Sequence, residues 1–368
     1  MVGRKITIVA NSDLTFDQRM QRICRTLQHA GYQITIIGRL FSKSAPLLEE
    51  KYQQQRISLW IQKGKFAYIE LNIRFLFILL FVKTDAIYSV DLDTLPASWF
   101  TAKIRSRKLI HDAHEFMEEV PEVYNRPFTK MMWRHIGKCF VPGVDLAFTT
   151  SQSIALELNR IHKANYYLVR NIAQLQEIES ESSQSREHGF WVFLGAVNQG
   201  RGLEEFLKIL PYTNRKLVVL GDGDRLEAIK KLTSDLQIEH LVVFKGKVKP
   251  EEAKKIMQQA WAGINLLTDE GLSYRYSLAN KFFDYIHAGI PQICIHFPEY
   301  KLLMEKYEVG VLTSLHTDSL LAATQIISLP EKQALYRAET RKAKLVWNWQ
   351  EESKVLLLMV SQLFDNKS

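Results

Sequence analysis

The sequence predicts an α/β protein with two Rossmann-like, doubly wound domains, each built on a parallel sheet, that face each other across a cleft. The chain has 368 residues, which is room for two domains at about 150 residues each. Its composition, 46% hydrophobic and 24% charged, is typical of globular proteins and excludes long disorder and fibres. In both halves, short apolar runs alternate with helical segments, and this alternation is typical of βαβ units in parallel sheets.

The first half opens with a complete βαβ unit. Strands are predicted at Lys5–Ala10 and Gln33–Gly38, and the helix Asp17–Ala30 lies between them. This helix places its apolar residues at 3.6-residue spacing, and Gly31 follows it as a stop signal. Further strands are predicted at Ala86–Val90, Lys108–His111, Asp145–Thr149 and Tyr166–Arg170. The first domain is therefore predicted over residues 1–172.

The second half repeats this alternation after a polar segment. Residues 173–189 are rich in Ser and Glu and predict a linker, so the second domain is placed at 190–345. Its predicted strands are Phe190–Leu194, Lys216–Leu220, Leu241–Phe244, Ala262–Leu266, Gln292–Ile295 and Val309–Leu312. Its predicted helices are Gly202–Leu210, Asp224–Leu236, Pro250–Ala260, Leu278–Ala288 and Tyr300–Lys306. The tail Lys332–Phe364 is predicted to be helical throughout.

The net charge indicates which kinds of binding partner to expect, and the cysteine content indicates the cellular compartment. The net charge of +8 favours anionic partners such as nucleotides, phosphates or a lipid surface. Nucleic acid is not expected, because the basic residues are dispersed and no recognition module is present. The three cysteines, Cys24, Cys139 and Cys294, are far apart and form no CxxC pair. This argues against disulfides or structural zinc and favours the cytoplasm.

The strongest apolar run is Phe75–Val82. It is far shorter than the roughly 20 residues of a membrane span. A buried helix is the favoured interpretation. The alternative is peripheral docking of a cytoplasmic protein at the inner face of the membrane.

The richest functional stretch runs from Ser277 to Pro291. Ser277 is predicted to cap a helix that begins near Leu278. Asn280, Lys281 and Asp284 then fall in its first two turns. A cation near free helix N–H groups suits a diphosphate, and Asp284 could accept hydrogen bonds from sugar hydroxyls. The alternative is an amphipathic helix with incidental polar residues.

Two glycine-rich segments follow predicted strands in the second half. The first runs from Gly195 to Gly202, where Arg201 could reach phosphate oxygens and the small residues let the backbone approach a ligand. It matches neither a Walker A loop nor a GxGxxG fingerprint, and an ordinary turn is the alternative. The second segment contains Gly221 and Gly223, and Asp224 is expected to cap the next helix.

Two polar clusters follow strands in the first half. His111, Asp112, His114 and Glu115 come after Lys108–Ile110 and could contact a sugar, act as acid and base, bind a metal or be structural. Asp91 and Asp93 form a DxD tripeptide of the type that holds Mn²⁺ or Mg²⁺ on a nucleotide. Helix capping or a place at the interdomain rim is the favoured alternative for them, so no metal site is predicted.

Taken together and in order, these segments resemble the GT-B glycosyltransferases, specifically the family-4 group of retaining, sugar-nucleotide-dependent enzymes. In the first half the resemblance lies in DQRMQRICRTLQHAGYQITIIGR, VDLDTLPA and HDAHEFMEEVPE. In the second half it lies in FLGAVNQGRGLEEF, VVLGDGD, FKGKVKPEEAKKIM and SLANKFFDYIHAGIPQI. VWNWQEES resembles the terminal helix of the family, so residues 346–368 are expected to pack back toward the first domain.

The resemblance implies roles for individual residues. Arg201 and Lys281 match cations of the family that contact the donor diphosphate. His114 matches a histidine that touches the donor sugar. The resemblance therefore implies that His114, Arg201 and Lys281 are the catalytic residues. The expected donor-binding residues are Gly195, Arg201, Gly223, Val248, Ser277, Asn280, Lys281 and Asp284. Val248 lies in the segment that meets the base, and Asp284 stands where the family has the second Glu of E-x7-E, which binds the ribose.

The chain also departs from the family pattern. Tyr276 stands at the position of the first Glu of E-x7-E, and Asp284 is shorter than the usual second Glu. Ala196 follows Gly195 where the family has a basic residue.

The implied reaction moves a sugar from a UDP- or GDP-sugar to a hydroxyl of a glycan or lipid-linked acceptor, as in polysaccharide biosynthesis. Configuration is retained and no cofactor or metal is required. Acceptor contacts are expected from Asp17, Arg19, Asp91 and Asp93. The alternatives are a sugar-nucleotide epimerase of the same fold and a catalytically inert nucleotide-binding subunit, the latter motivated by Tyr276.

Overall fold

The computed structural model describes residues 3–175 and 189–365. The chain forms two compact units. Unit 1 reaches to Asn171 and resumes at Glu352, and unit 2 comprises Ile172–Glu351. Most of the predicted linker, residues 176–188, lies outside the described residues.

Unit 1 contains a parallel sheet, whose described strands have the order β3-β2-β1-β4-β5-β6-β7. These strands are β1 Lys5–Val9, β2 Gln33–Leu40, β3 Gln53–Ser58, β4 Ala86–Val90, β5 Lys108–Ala113, β6 Leu146–Thr149 and β7 Tyr166–Leu168. The six predicted strands are confirmed, with ends that differ by one or two residues. β3 was not predicted, because its sequence QQQRIS is polar and it lies at the edge of the sheet, where one side of the strand is solvated.

The described helices of unit 1 connect these strands. They are α1 Gln18–His29, α2 Lys65–Phe81, α3 Asp91–Arg105, α4 Pro121–Tyr124, α5 Pro127–Phe140 and α6 Gln152–His162. The prediction of α1 is confirmed: Asp17 caps it by accepting a hydrogen bond from the Met20 N–H, and its apolar face is buried.

The apolar run Phe75–Val82 lies mostly in α2. The sequence predicts a buried helix, but the structure buries only one side of it. Leu71, Phe75 and Leu79 are fully buried, whereas Ile73 and Phe77 on the opposite side are at least half exposed. A run that is apolar on every side leaves one face in solvent when only the other face meets the protein. Within the described residues, no helix has the length and apolar character needed to cross a membrane.

Unit 2 contains a second parallel sheet, whose described strands have the order β10-β9-β8-β11-β12-β13. These are β8 Trp191–Leu194, β9 Leu217–Leu220, β10 Val242–Gly246, β11 Ala262–Asn265, β12 Gln292–Ile295 and β13 Gly310–Thr313. The described helices are α7 Leu203–Ile209, α8 Leu226–Asp235, α9 Pro250–Gln259, α10 Leu272–Arg275, α11 Asn280–Ala288, α12 Pro298–Met304, α13 Thr317–Ser328 and α14 Pro330–Val346. The two predicted parallel-sheet domains are thereby confirmed.

The tail is two helices rather than the single predicted one, since α14 ends at Val346 and α15 spans Trp349–Asp365. Asn348 separates them. Its side-chain amide donates to the carbonyl oxygens of Lys344 and Leu345, and its Oδ1 accepts from the Glu351 N–H. One side chain therefore satisfies both helix ends, which a sequence pattern of helix-forming residues does not reveal.

Candidate functional site

In unit 2, two glycine loops meet at the carboxyl ends of the neighbouring strands β8 and β9. The Gly195 N–H donates to the Leu220 carbonyl at 3.0 Å, and the Val197 N–H donates to that of Asp222 at 3.1 Å. A Cβ atom at Gly221 would lie 1.8 Å from the Gly195 carbonyl oxygen, so this approach requires glycine. The carboxyl ends of parallel strands are where ligands bind in doubly wound sheets.

Gly195 and Gly223 serve these loops differently. Gly195 has a φ of +122°, and a Cβ atom there would meet nothing within 4 Å, so its peptide faces open space. Gly223 is packed, since a Cβ atom at this position would lie 2.3 Å from Asn198 Oδ1. The expectation that Asp224 caps the next helix is wrong: α8 begins at Leu226 after Arg225, and no side chain in the described part of the chain caps it.

Arg201 precedes α7 on the first of these loops. Its guanidinium lies 5.2 Å from the ring centre of Tyr274, and its Nε is buried without a hydrogen-bond partner among the described residues. The next residue, Gly202, has a φ of +67° and packs against Leu266, where a Cβ atom would lie 2.4 Å from that of Leu266. The close packing of Gly202 on Leu266 therefore fixes the position of the backbone from which the Arg201 side chain projects.

Lys281 is the second residue of α11 and is only 6% exposed. Its Nζ lies 4.2 Å from the ring centre of Phe193 and has no hydrogen-bond partner in the described part of the chain. Burial, and then the positive charge of Arg201, lower the pKa of Lys281 to about 7. Two neighbouring cations, one of them buried, are unfavourable without an anion between them, so this is a candidate anion site.

The start of α11 differs from the prediction. The helix begins at Asn280 rather than near Leu278, and the predicted cap Ser277 instead donates its Oγ hydrogen to the Tyr274 carbonyl at 2.8 Å. The Tyr300 hydroxyl accepts from the Ala279 N–H, and no side chain of residues 3–175 or 189–365 caps the helix. The first N–H groups of an α-helix lack intrahelical partners and attract anions.

The other predicted donor residues are placed as follows. Asn280 is exposed and Asp284 is half-buried, and both lie in the first two turns of α11 as predicted. Val248 lies between β10 and α9 and packs on the apolar cluster that includes Val218 and Leu220. Tyr276, at the position of the first family Glu, ends the short helix α10.

In unit 1, Asp112 is the centre of a buried polar cluster at the end of β5. Its oxygens accept two hydrogen bonds from the Arg19 guanidinium, at 2.7 and 3.2 Å, and one from the Tyr88 hydroxyl at 2.8 Å. Burial opposes ionisation, but Arg19 and His114 outweigh it and hold the pKa of Asp112 well below its usual range. Arg19 is 3% exposed, and its remaining nitrogen donates to the Val169 carbonyl, so the structure gives no support to the expected acceptor contact, which stays a prediction.

His114 lies at the edge of this cluster with a side chain that is 19% exposed. Its Nε2 is 3.1 Å from Asp112 Oδ2, and its backbone N–H donates to Asp91 Oδ1 at 2.8 Å. Burial lowers its pKa, but the charges of Asp112 and Asp91 outweigh burial and raise it to about 9. The imidazole is therefore a cation at neutral pH. Asp112 contacts it from the buried side, and the rest of the ring is partly open to solvent.

Asp91 and Asp93 stand at the start of α3, which begins at Asp91 itself. Asp91 has a φ of +57°, and burial, reinforced by Asp93, raises its pKa to about 7. Asp93 accepts from the Asn11 side-chain amide at 2.8 Å, and burial raises its pKa to about 6.

Asp17, the fourth expected acceptor residue, caps α1 and accepts from the Ser12 hydroxyl. No group of three or more His, Cys, Asp or Glu side chains placed to hold a metal occurs in residues 3–175 and 189–365.

These features define the class of the protein. Two parallel-sheet Rossmann-like units, of which the second carries glycine loops and cations at its strand ends, form a GT-B fold. Residues 176–345, just under half of the chain, match the family model described as glycosyl transferases group 1. This segment therefore has the sequence pattern of a group 1 glycosyltransferase domain.

Solved structures share this fold over nearly the whole chain. Sucrose-phosphate synthase from Thermosynechococcus elongatus superposes with a TM-score of 0.82 at 15% identity, covering 99% of this chain and 100% of that one. Anabaena HepE in complex with UDP and glucose has a TM-score of 0.77 at 12% identity, covering 98% and 100%. WaaG, a glycosyltransferase involved in lipopolysaccharide biosynthesis, has a TM-score of 0.70 at 11% identity, covering 96% and 99%.

A curated relative agrees with this assignment. An uncharacterized glycosyltransferase of Methanocaldococcus jannaschii is 25% identical over 182 residues, which are 48% of this chain. The match spans only 41% of that relative's length. The predicted GT-B fold and glycosyltransferase domain are thus confirmed.

Several residues of the two clusters were missed from the sequence. Tyr274 and Phe193, which face the two cations, are separated from Arg201 and Lys281 along the chain, and isolated aromatic residues carry no local signal. Asp112 is a member of the polar cluster predicted after Lys108–Ile110, but the sequence does not single it out as the centre of that cluster. Its place at the carboxyl end of a predicted strand was the available signal.

Proposed function

We propose that this protein is a retaining glycosyltransferase that takes a UDP- or GDP-sugar as donor. The observation that carries the proposal is the buried Lys281 ammonium, which lies close to Arg201 at the start of α11. Among the described residues it has no hydrogen-bond partner, and no side chain there caps the helix. A diphosphate supplies the negative charge that these groups lack. The solved structure of HepE with UDP and glucose supports a nucleotide donor.

The proposed chemistry is a substitution at the anomeric carbon of the donor sugar. The bond from this carbon to the diphosphate oxygen breaks, and its electron pair leaves with the diphosphate. An acceptor hydroxyl oxygen bonds to the same carbon from the same face, and its proton passes to the leaving phosphate. Lys281 and Arg201 stabilise the negative charge that grows on the diphosphate. Loss of one such preorganised donor costs roughly 10²–10³-fold in rate in comparable sites.

The proposed role of unit 1 is contact with sugars. His114, positively charged and partly exposed, would donate a hydrogen bond to a sugar hydroxyl. Asp91 and Asp93 would accept hydrogen bonds from an acceptor glycan or lipid-linked sugar. Because two protein cations neutralise the diphosphate, the reaction needs no metal, and EDTA should leave the rate unchanged.

Thermal unfolding with UDP, GDP and their sugar derivatives tests the donor site. A ligand present at about 100 times its Kd stabilises the protein by about 2.7 kcal/mol. Lys281→Ala and Arg201→Ala should each abolish the shift, whereas Lys231→Ala, an exposed lysine on α8, should preserve it. Equal shifts in all four proteins would overturn the donor site.

Product analysis then tests the reaction. Release of nucleoside diphosphate together with a glycosylated acceptor is expected. A free sugar-nucleotide isomer would indicate the epimerase. Binding without release would indicate an inert subunit, an outcome for which Tyr276, in place of the family Glu, is the structural reason.

A further inference from the structure

The outward side of α2 is an apolar strip in solvent. Its members are spaced three and four residues apart and so share one helix face. We name this strip the α2 outer face, and it consists of Phe66, Ile69, Ile73, Phe77 and Phe81. Each of these side chains is half exposed or more, and Phe81 is 82% exposed. Scattered apolar residues on a surface are ordinary, but a contiguous apolar strip along a helix marks an interaction surface.

Trp60 extends this strip beside the helix. It is 88% exposed, and the Arg74 guanidinium lies 4.6 Å from its ring centre. Glu70 fixes the loop to the helix, because its carboxylate accepts from the backbone N–H groups of Trp60 and Ile61 at 2.9 and 2.8 Å. An indole held in solvent in this way has an apolar body and a polar N–H, which suits the interface between lipid and water.

The charges around the strip are positive. Lys63 and Lys65 at the start of α2 and Lys83 beyond its end are exposed. The single acidic residue of the helix, Glu70, is occupied by Arg74 and the Trp60 loop. A second copy of the chain seated on this face would bring like charges together, whereas an anionic lipid surface complements them.

The neighbouring helix α3 also exposes apolar side chains next to a basic one. It packs along α2, and the Arg105 guanidinium donates to the Leu79 and Val82 carbonyls at the end of α2. Phe100 and Ile104 of α3 are 47% and 67% exposed, with Lys103 exposed beside them.

We propose that unit 1 docks on an anionic lipid membrane through the α2 outer face, with Trp60 at the interface and the flanking lysines on lipid phosphates. The opposite side of α2 is buried in unit 1 through Leu71, Phe75 and Leu79, so the helix lies along the membrane surface. The helix presents about 25 Å of apolar length. This inference is independent of the proposed glycosyl transfer.

Co-sedimentation of the full chain with vesicles tests the proposal. We expect binding to vesicles of phosphatidylcholine and phosphatidylglycerol, and weaker binding to phosphatidylcholine alone. The double variant Ile73→Ser/Phe77→Ser should reduce the affinity at least about tenfold, because two apolar side chains no longer enter the interface. Replacing Lys63, Lys65 and Lys83 by Gln should weaken binding to the anionic vesicles by about fivefold per lysine.

A matched control separates this face from general surface hydrophobicity. Leu156→Ser/Leu345→Ser removes two leucines that are 63% and 60% exposed on other helices, and it should bind like the unsubstituted chain. Phe81→Ser provides a second test of the face if the double variant does not fold.

Two results would overturn the proposal. The first is vesicle binding that is absent, or equal in the α2 and control variants. The second is a dimer in analytical ultracentrifugation without lipid that Ile73→Ser/Phe77→Ser converts to a monomer, since this would assign the face to a second copy.

Discussion

The Lys281 ammonium faces the Phe193 ring at 4.2 Å and has no hydrogen-bond partner among the described residues. Phe193 lies on β8, just before Gly195, so the ring holds the lysine beside the glycine loop. A contact between a cation and an aromatic ring contributes about 0.5–2 kcal/mol, which is far less than the cost of removing an ammonium from water. This imbalance in the free protein supports the proposed anion site beside Lys281.

Replacing Lys281 should separate stability from ligand binding. Lys281→Met keeps much of the side-chain volume and removes the buried charge, so the free protein should unfold a few degrees higher. The same variant should lose the thermal shift produced by UDP or GDP. Differential scanning calorimetry with and without nucleotide measures both effects. A lower unfolding temperature in the free variant would contradict the view that Lys281 is unfavourable without its ligand.

Nucleotide binding should take up a proton above neutral pH. The pKa of Lys281 is about 7 in the free protein, and a bound diphosphate raises it because opposite charge favours the ammonium. From pH 7 upward the affinity should therefore fall by up to about tenfold per pH unit. Titration calorimetry at pH 8 in buffers of different ionisation enthalpy counts the proton. Binding without proton uptake at this pH would refute the assignment.

His114 should stabilise unit 1 in a defined pH window. Its pKa rises from 6.5 to about 9 on folding, so the protonated ring contributes stability that is complete below 6.5 and lost as the pH rises through 9. His114→Gln should destabilise the protein by about 1–3 kcal/mol at low pH. The difference from the unsubstituted protein should vanish above pH 9. Urea unfolding across this range tests the sign, and a difference independent of pH would exclude the role of the charge.

Glu352 should hold the last helix to unit 1. Its carboxylate accepts from the backbone N–H and the guanidinium of Arg170, both at 2.8 Å, and both side chains are largely buried. Glu352→Ala should cost about 1–3 kcal/mol by leaving these donors unpaired, and it should speed proteolysis within α15. Leu358→Ala, an exposed position on the same helix, is the control. Equal proteolysis rates in the two variants would argue against the anchor.

The sequence predicted the two sheets because each buried strand is a short apolar run that ends at a glycine, a proline or a polar cluster, a signal contained within a few residues. It missed β3 because the edge of a sheet needs no apolar run. It placed the cap of α11 at Ser277, whereas the Ala279 N–H is satisfied by Tyr300, a residue 21 positions away. Such a partner leaves no trace in the local pattern.

The sequence by itself determined the βαβ alternation, the glycine loops after β8 and β9 and the presence of Lys281 and Arg201 near the starts of helices. Only the tertiary structure decided which charged groups are buried, which are paired and how their pKa values shift. It paired Arg19 with Asp112, left Lys281 facing Phe193, and exposed one side of α2 while burying the other. The physical reason is that strand and helix formation follow local periodicity, whereas a charge is set by burial and by partners that folding brings from distant parts of the chain.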